Sequence, residues 1–182
     1  MYAYCLFCLT QRCRVIAKLM EIRGEKRAFS PQIIRKQRKK GENVRKRFDL
    51  LPGYVFLYSE ERLMDYTLFC GMDGVIRRVG RTEKGYELEG SDLDFAMKLL
   101  AKDGLVEGMI LYRSGDEVKL QDTLFNGCEG KIIEIDYRKE RAKVSFVFDQ
   151  TEREIWVALE DVKHTRRPEG EARNAIIECL QE

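Results

Sequence analysis

Cysteine and histidine are the residues of this chain best suited to bind a metal or to act as nucleophiles. Three of the six cysteines lie close together, at Cys5, Cys8 and Cys13. Cys5 and Cys8 fall on a predicted strand that points them to opposite faces, and no second Cys-x-x-Cys or histidine pair completes a zinc site. The one histidine, His164, has no nucleophile beside it, and no phosphate-binding loop or nucleophile elbow occurs. We therefore expect free thiols, no metal, no cofactor and no enzymatic activity.

The densest charge of the chain lies between residues 35 and 47, which hold eight lysines and arginines and a single acid, Glu42. A cluster of this kind attracts a polyanion, and each phosphate that it neutralises releases counterions, so that binding depends on salt. The alternative is a solvated edge hairpin whose charges prevent pairing with another strand. The cations are Arg35, Lys36, Arg38, Lys39, Lys40, Arg45, Lys46 and Arg47.

A second group of cations lies around one predicted hairpin in the C-terminal part of the chain and just after the last predicted strand. Contacts to phosphate position a protein on RNA without reading its sequence. Residues 114 to 182 hold 16 acids against 11 basic residues, so a protein is an alternative to an RNA hairpin as the partner of this region. The cations are Lys131, Arg138, Lys139, Arg141, Lys143, Arg166 and Arg167.

The elements that must position these residues begin with a strand and a helix. The apolar stretch from Tyr2 to Leu9 predicts a buried strand, after which Thr10 offers an N-cap hydroxyl. Apolar residues at helical spacing predict a helix from Gln11 to Arg23, closed by Gly24. Its predicted buried face consists of Val15, Ile16, Leu19 and Met20.

Further elements follow in the order expected of an α+β sandwich. Basic strands at 32–38 and 43–48 flank a predicted turn at Gly41 and Glu42. An interior strand from Tyr54 to Tyr58 follows Pro52 and Gly53, and a helix is predicted over 60–70. The last elements are a strand over 75–79 and a helix from Ser91 to Lys102, with a capping box of Ser91 and Asp94 and with Leu93, Met97 and Leu100 facing inward.

The pattern changes after about residue 105 to short alternating strands, as in Val144, Phe146 and Phe148, which predicts a five-stranded barrel. We expect an N-terminal domain over 1–105, a linker over 106–113, the barrel over 114–165 and a tail over 166–182. The chain has no secretory signal, no regular cysteine framework and no apolar run of about 18 residues to span a bilayer. These features favour a cytoplasmic protein.

Two segments resemble the NusG family of transcription elongation factors. Residues 51–56, Leu-Pro-Gly-Tyr-Val-Phe, are similar to the family's Pro-Gly-Tyr strand, and residues 115–118 with 130–136 look like its KOW motif. The resemblance covers about residues 2–162. It implies an α+β chain, with an NGN-type α/β sandwich followed by a KOW domain that is an SH3-like five-stranded β-barrel.

The resemblance also implies contact residues on RNA polymerase. In the family, one side of the central sheet grips the coiled coil of the polymerase clamp, and the following helix reaches the opposite side of the cleft. The residues implied here are Phe7, Leu51, Pro52, Tyr54 and Phe56 on the sheet, with Tyr66 and Thr67 on the helix. The alternative is that these residues are ordinary core.

Departures from the family pattern bear on the partners. Ala3 stands where a Trp is usual, Thr123 and Leu124 replace a Gly-Pro pair, and residues 149–152 replace the Gly-Arg-x-Thr-Pro loop that meets Rho or a ribosomal protein. The sequence resembles specialised paralogues of the LoaP type in its Leu6-Phe7 strand followed by Thr10. This implies a monomeric antitermination factor that binds nascent RNA, for example an RNA hairpin, or upstream DNA. A housekeeping NusG and a free or ribosomal KOW protein are the alternatives.

Overall fold

The computed structural model describes residues 1–24, 27–39, 42–63, 71–80, 85–114, 117–120, 124–125 and 130–160. Over these residues the chain is mostly strand with two α-helices, which confirms the predicted mixture of α and β structure. The helices are α1 (Cys13–Gly24) and α2 (Gly90–Ala101), and a 3-10 turn (Thr10–Arg12) precedes α1. The strands are β1 (Tyr2–Cys8), β2 (Arg27–Phe29), β3 (Gln32–Lys39), β4 (Glu42–Asp49), β5 (Tyr54–Ser59), β6 (Val75–Val79), β7 (Leu105–Val106), β8 (Met109–Ser114), β9 (Glu117–Leu120), β10 (Lys131–Asp136), β11 (Arg141–Phe148) and β12 (Thr151–Glu160).

The chain divides into two compact units. The first consists of Met1–Gln32 and Asp49–Leu105, and the second consists of Ile33–Phe48 and the chain from Val106 onward. Strands β3 and β4, the predicted basic hairpin, thus group with the second unit, although the predicted boundaries place them in the first domain. Residues 109–113, assigned to the linker, form most of β8. The predicted domain boundaries themselves stay predictions.

The first unit is built on a four-stranded sheet in the order β2-β5-β1-β6. Every residue of β5 is buried, as predicted for an interior strand. β1 and β5 are antiparallel, so Phe7 lies opposite Tyr54 and Cys5 lies opposite Phe56. Directly opposed residues share a face of the sheet. The register therefore brings Phe7, Tyr54 and Phe56 to one side.

Helix α1 packs on the other side of this sheet. Its buried residues Cys13, Ile16, Ala17 and Met20 recur at i, i+3, i+4 and i+7 and contact a core that includes Leu6 and Val55. The prediction for Ile16 and Met20 is confirmed. The prediction for Val15 and Leu19 is wrong: they are 48% and 37% exposed, because Cys13 and Ala17 set the phase of the buried face.

The predicted N-caps are also wrong. Thr10 is the first residue of the 3-10 turn, and Leu9 stands at the cap position without a side-chain hydrogen bond. Helix α2 begins at Gly90, ahead of Ser91, and its cap residue Glu89 likewise makes no side-chain cap bond. Both helices begin where the chain leaves a strand or a loop. Neither Leu9 nor Glu89 therefore caps its helix with a side-chain oxygen.

Helix α2 covers the aromatic side of the sheet. Its fully buried residues are Phe95, Ala96 and Leu99. The predicted inward residues Leu93, Met97 and Leu100 are only half-buried, so the buried face is rotated from the predicted one. Residues 60–63 of the predicted 60–70 helix are not helical, and residues 64–70 lie outside the described part of the chain.

The second unit holds a five-stranded sheet in the order β10-β11-β12-β8-β9, beside a smaller sheet in the order β4-β3-β7. β12 and β8 run parallel, with Leu159 opposite Met109, and the other neighbours are antiparallel. Alternate residues of β11 and β12 are buried as predicted: Val144, Phe146, Phe148, Ile155, Val157 and Leu159. In the described strands, no hydrogen-bonded pair joins β10 to β9 to close this sheet. Its closure into a barrel stays a prediction.

Across the described ranges, no helix has both the length and the apolar character needed to span a membrane.

Candidate binding surfaces

The clustered thiols belong to the core of the first unit. Cys5, Cys8 and Cys13 are buried, and Cys8 and Cys13 are free thiols. Burial raises the pKa of the Cys8 thiol to about 12 and also raises the pKa of Cys13. A thiol with a raised pKa is a poor nucleophile and a poor metal ligand, since both roles require the thiolate. His164 lies outside the described residues.

A tight turn positions the aromatic residues of the first unit. The Tyr54 N–H donates to the Leu51 carbonyl at 3.1 Å, which closes a turn with Pro52 and Gly53 at its centre. Gly53 has a φ of +90°, and a proline followed by a residue of positive φ is the pattern of a type II turn. The Gly53 carbonyl in turn accepts from the Cys8 N–H at 2.7 Å. The turn is thereby tied to the end of β1.

Phe7 packs directly on this turn. A Cβ at Gly53 would lie 2.8 Å from Phe7 Cε2, so only glycine fits beneath the ring. The ring centroids of Phe7 and Tyr54 are 5.1 Å apart with an interplanar angle of 54°, and the Arg77 guanidinium carbon lies 5.4 Å from the Phe7 centroid. We call the surface formed by Phe7, Pro52, Tyr54 and Arg77 the aromatic corner. The position of the Phe7 ring in this surface depends on glycine at position 53.

The rest of the same sheet face is covered by α2. The ring centroids of Phe56 and Phe95 are 6.4 Å apart. The Tyr58 hydroxyl donates to the Ala96 carbonyl at 2.7 Å, and burial raises the pKa of this phenol. Phe56 and Tyr58 therefore anchor α2 and are closed to a partner.

The hairpin of the second unit carries cations on both faces. Lys46 and Phe48 are two apart on β4 and share a face. The Phe48 ring has the Arg35 guanidinium carbon 5.2 Å and the Lys46 amine 5.6 Å from its centroid. Lys36 pairs with Glu140. Arg45, Lys46 and Arg47 are exposed. Lys40 and the side chains of Arg38 and Lys39 lie outside the described part of the structure.

Cations of the five-stranded sheet are largely engaged in internal ion pairs. Asp136 Oδ2 lies 3.3 Å from Arg141 Nε and 3.6 Å from Lys139 Nζ, and Lys143 pairs with Glu154. The Arg141 guanidinium carbon also lies 4.0 Å from the Trp156 centroid. Burial alone would raise the pKa of Asp136, but the Lys139 N–H, which donates to it, and the charges of Lys139 and Arg141 lower the pKa overall. Lys131 and Arg138 are exposed, and Arg166 and Arg167 lie outside the described residues.

Comparison with known proteins identifies the architecture. No protein-family model and no curated protein matches this chain. Among solved structures, NusG of Thermotoga maritima, in a structure describing its domain interaction, matches with a TM-score of 0.50 at 18% sequence identity. The match covers 87% of this chain and 93% of that chain. This protein has a NusG-like fold. The expected NusG-like mixture of α and β structure is thereby confirmed, while the closed KOW barrel and the specialised LoaP type stay predictions.

Within the NusG-like fold, the residues implied to face the polymerase occupy two layers. Pro52 is exposed and Phe7 is half-buried. Leu51 and Tyr54 are each 2% exposed and Phe56 is 0% exposed, so these three form the floor of the surface in this conformation. Tyr66 and Thr67 lie outside the described residues. The contact role of the whole set stays a prediction.

Sequence reasoning missed three residues that the NusG-like fold brings to these surfaces: Arg77, Phe48 and Trp156. Arg77 reaches Phe7 because β6 pairs with β1 in a register that places them opposite each other. Trp156 reaches Arg141 through the pairing of β11 with β12. These contacts depend on strand register, which the sequence does not specify. The place of Phe48 beside Lys46 could have been predicted from the sequence, because residues two apart on a strand share a face.

Proposed function

We propose that this chain is a transcription elongation and antitermination factor that binds RNA polymerase through the aromatic corner. The observation that supports this most directly is the Pro52–Gly53 turn, which presents Pro52 to solvent and seats Phe7 on Tyr54. A rigid apolar surface loses little conformational entropy when a partner covers it. The NusG-like fold also supports the proposal, because in the NusG family this side of the sheet grips the clamp coiled coil.

In this proposal, Phe7 and Pro52 touch the coiled coil of the polymerase clamp. Leu51, Tyr54 and Phe56 act from below by fixing the height and tilt of the Phe7 ring. Tyr66 and Thr67 reach the opposite side of the cleft. Arg77, exposed beside Phe7, adds a cation that favours an acidic partner surface. Bridging the cleft would hold the polymerase in its elongating conformation and suppress pausing, without any chemical step by this chain.

We further propose that the second unit contains a KOW domain whose five strands close into an SH3-like barrel and that it recruits nascent RNA or a protein partner. The β11–β12 connection supports a specialised factor of the LoaP type. It is a two-residue turn, Asp149 and Gln150, both with positive φ, and residues 149–152 there replace the Gly-Arg-x-Thr-Pro pattern with which the family meets Rho or the ribosome. We expect the factor to act as a monomer in the cytoplasm, with the domain boundaries predicted from the sequence.

Binding to purified core RNA polymerase tests this proposal. Pro52→Asp and Arg77→Glu change exposed side chains, so the fold should survive, and each should weaken binding at least about tenfold, equivalent to about 1.4 kcal/mol. Lys18→Glu is the matched control, because it reverses an exposed charge on α1, which packs on the opposite face of the sheet. Equal binding by all three variants would remove the aromatic corner as the polymerase contact.

A further inference from the structure

The hairpin and the start of β11 are connected by the Lys36–Glu140 ion pair. Arg35 and Lys46 lie beside Lys36 on the hairpin, over the Phe48 ring, and Arg141 follows Glu140 in the chain. Acids also lie among these cations, and Glu107 lines a pocket with Lys36 and Arg45. Glu140 pairs with Lys36, and Asp136 pairs with Arg141 and Lys139. The hairpin cations and the cations of the five-stranded sheet, separate along the sequence, thus meet in one cluster with excess positive charge.

Arg35 is the member of this cluster whose hydrogen-bonding capacity is unmet. Its Nε is buried and makes no hydrogen bond to any described atom. Its guanidinium packs on the Phe48 ring, a contact that holds the group in place without giving Nε–H an acceptor. A buried donor without an acceptor is unfavourable, so a ligand that supplies an acceptor there is favoured.

Arg35 and Arg141 also repel each other. The pKa of Arg35 is lowered by burial and, in addition, by the nearby charge of Arg141. Arg141 keeps a fixed orientation, because it stacks on Trp156 and is paired with Asp136. The Lys36–Glu140 pair joins the chain neighbours of these two arginines, and each guanidinium lies over its own aromatic ring. Two such groups in one region favour an anion with several acceptor oxygens.

We propose, resting on the nucleic-acid role proposed above, that Arg35 and Arg141 together bind one phosphate group of a polynucleotide backbone, with Lys46 at the edge of the site. The phosphate oxygens accept from Arg35 and lie between the two positive charges. Phe48 and Trp156 hold the guanidinium planes, on which an unpaired base can stack. The hairpin and the five-stranded sheet then act as one nucleic-acid surface.

Fluorescence anisotropy with the full chain tests this site. The probes are a labelled single-stranded RNA of about 20 nucleotides, a DNA duplex of the same length and, as an unlabelled competitor, inorganic phosphate. Arg35→Gln should weaken binding about 5- to 20-fold and reduce the salt slope of log K for the single strand by about 0.7, the loss of one phosphate contact. Arg35→Lys should keep most of the salt slope but lose affinity, because lysine lacks the planar fork.

Arg23→Gln is the matched control, since it removes an exposed arginine from α1 in the first unit and should bind as the wild type does. A parallel loss on RNA and DNA supports a phosphate contact, and the tighter probe identifies the natural source. Thermal unfolding of each variant shows that the fold is intact.

Three results would overturn the proposal, each in a distinguishable way. Wild-type affinity in Arg35→Gln, Arg35→Lys and Arg141→Gln would remove the site while leaving the nucleic-acid role. No binding of either polynucleotide by the wild type would remove both. Stabilisation by inorganic phosphate that requires Arg35, together with polynucleotide binding that does not, would make this a site for free anions. Polymerase binding by Arg35→Gln, tested separately, should stay unchanged.

Discussion

The aromatic corner and the cation cluster of the second unit are held in place by different forces. The corner depends on backbone geometry, because the Gly53 conformation and the two hydrogen bonds of its turn, Tyr54 N–H to the Leu51 carbonyl and Cys8 N–H to the Gly53 carbonyl, fix where the Phe7 ring lies. The cluster depends on exposed or half-exposed ion pairs such as Lys36–Glu140, which individually contribute about 0–1 kcal/mol and weaken with salt. A partner of the corner meets a rigid surface. A partner of the cluster meets side chains that are held by ring contacts and ion pairs rather than by the backbone.

Gly53→Ala should show the largest effect, because it attacks the geometry of the corner. The new methyl would lie 2.8 Å from Phe7 in a backbone conformation with φ of +90°. We expect the free energy of unfolding to fall by about 2–3 kcal/mol, from the strained φ and the displaced ring. Urea denaturation measures this loss.

Gly71→Ala is the control that separates the two causes. Gly71 also has a positive φ, +71°, but an added Cβ there meets no atom of the described residues within 4 Å. It should therefore cost only about 1–2 kcal/mol. An equal loss in both variants would mean that the contact with Phe7 contributes nothing and that the corner is not rigid for the stated reason.

Asp136→Asn tests how far a carboxylate holds the cluster together. The pKa of Asp136 is lowered in the folded protein, so its charge stabilises the fold above the ordinary carboxyl pKa of about 4, and this stabilisation is lost as the pH falls through the lowered folded pKa. The variant should be about 1 kcal/mol less stable at pH 7. That deficit should shrink as the pH falls below about 4.

Urea unfolding at a series of pH values provides the measurement, with Glu154→Gln as the control, since it removes a more exposed carboxylate on β12. A deficit that stays constant from pH 7 to pH 3 would show that Asp136 acts through hydrogen bonds or packing, and that its charge does not organise Arg141.

Gln150→Gly tests backbone strain at a third place, the turn between β11 and β12. Gln150 has a φ of +55°, a conformation that glycine adopts without cost. Relief of this strain should stabilise the second unit by about 0.5–1 kcal/mol. A rise in the melting temperature of the full chain would show it. An unchanged or lower value would mean that the glutamine side chain compensates for its conformation.

The smallest effect should come from the Lys36–Glu140 pair. A double-mutant cycle with Lys36→Gln and Glu140→Gln should give a coupling energy below about 1 kcal/mol, which disappears in 1 M salt. A salt-independent coupling of about 2 kcal/mol or more would contradict the weak, salt-sensitive ion pairing inferred for the cluster. The cluster would then be held as firmly as the corner.

The parts of the structure that could be predicted are those that local pattern determines. Alternation identified β11 and β12, and the Pro-Gly-Tyr segment identified the central strand β5. The apolar period located both helices but misplaced part of each buried face, since the phase depends on which residues the sheet accepts. Caps at Thr10 and Ser91 failed because residues that suit a cap also suit the first helical turn.

The sequence identified the residues of the binding surfaces, but it did not show which of them contact each other. The sequence indicated that Phe7, Tyr54 and Phe56 share a side, but it did not show that α2 buries Phe56 against Phe95. Aspartate at Phe56 would therefore unfold the core rather than test a contact, because an unpaired charge would be buried. Likewise, Arg35 and Arg141 are 106 positions apart, and only the tertiary fold brings their charges together.

Site-specific photo-crosslinking shows directly whether the aromatic corner contacts RNA polymerase. A photo-reactive phenylalanine is placed at Pro52 and, in a separate chain, at Lys18, and each full-length protein is irradiated in a mixture of RNA polymerase and ribosomes. We expect crosslinks from position 52 to the clamp coiled coil of the polymerase and none from position 18. Crosslinks from position 18 alone, or from position 52 to ribosomes and not to polymerase, would contradict it.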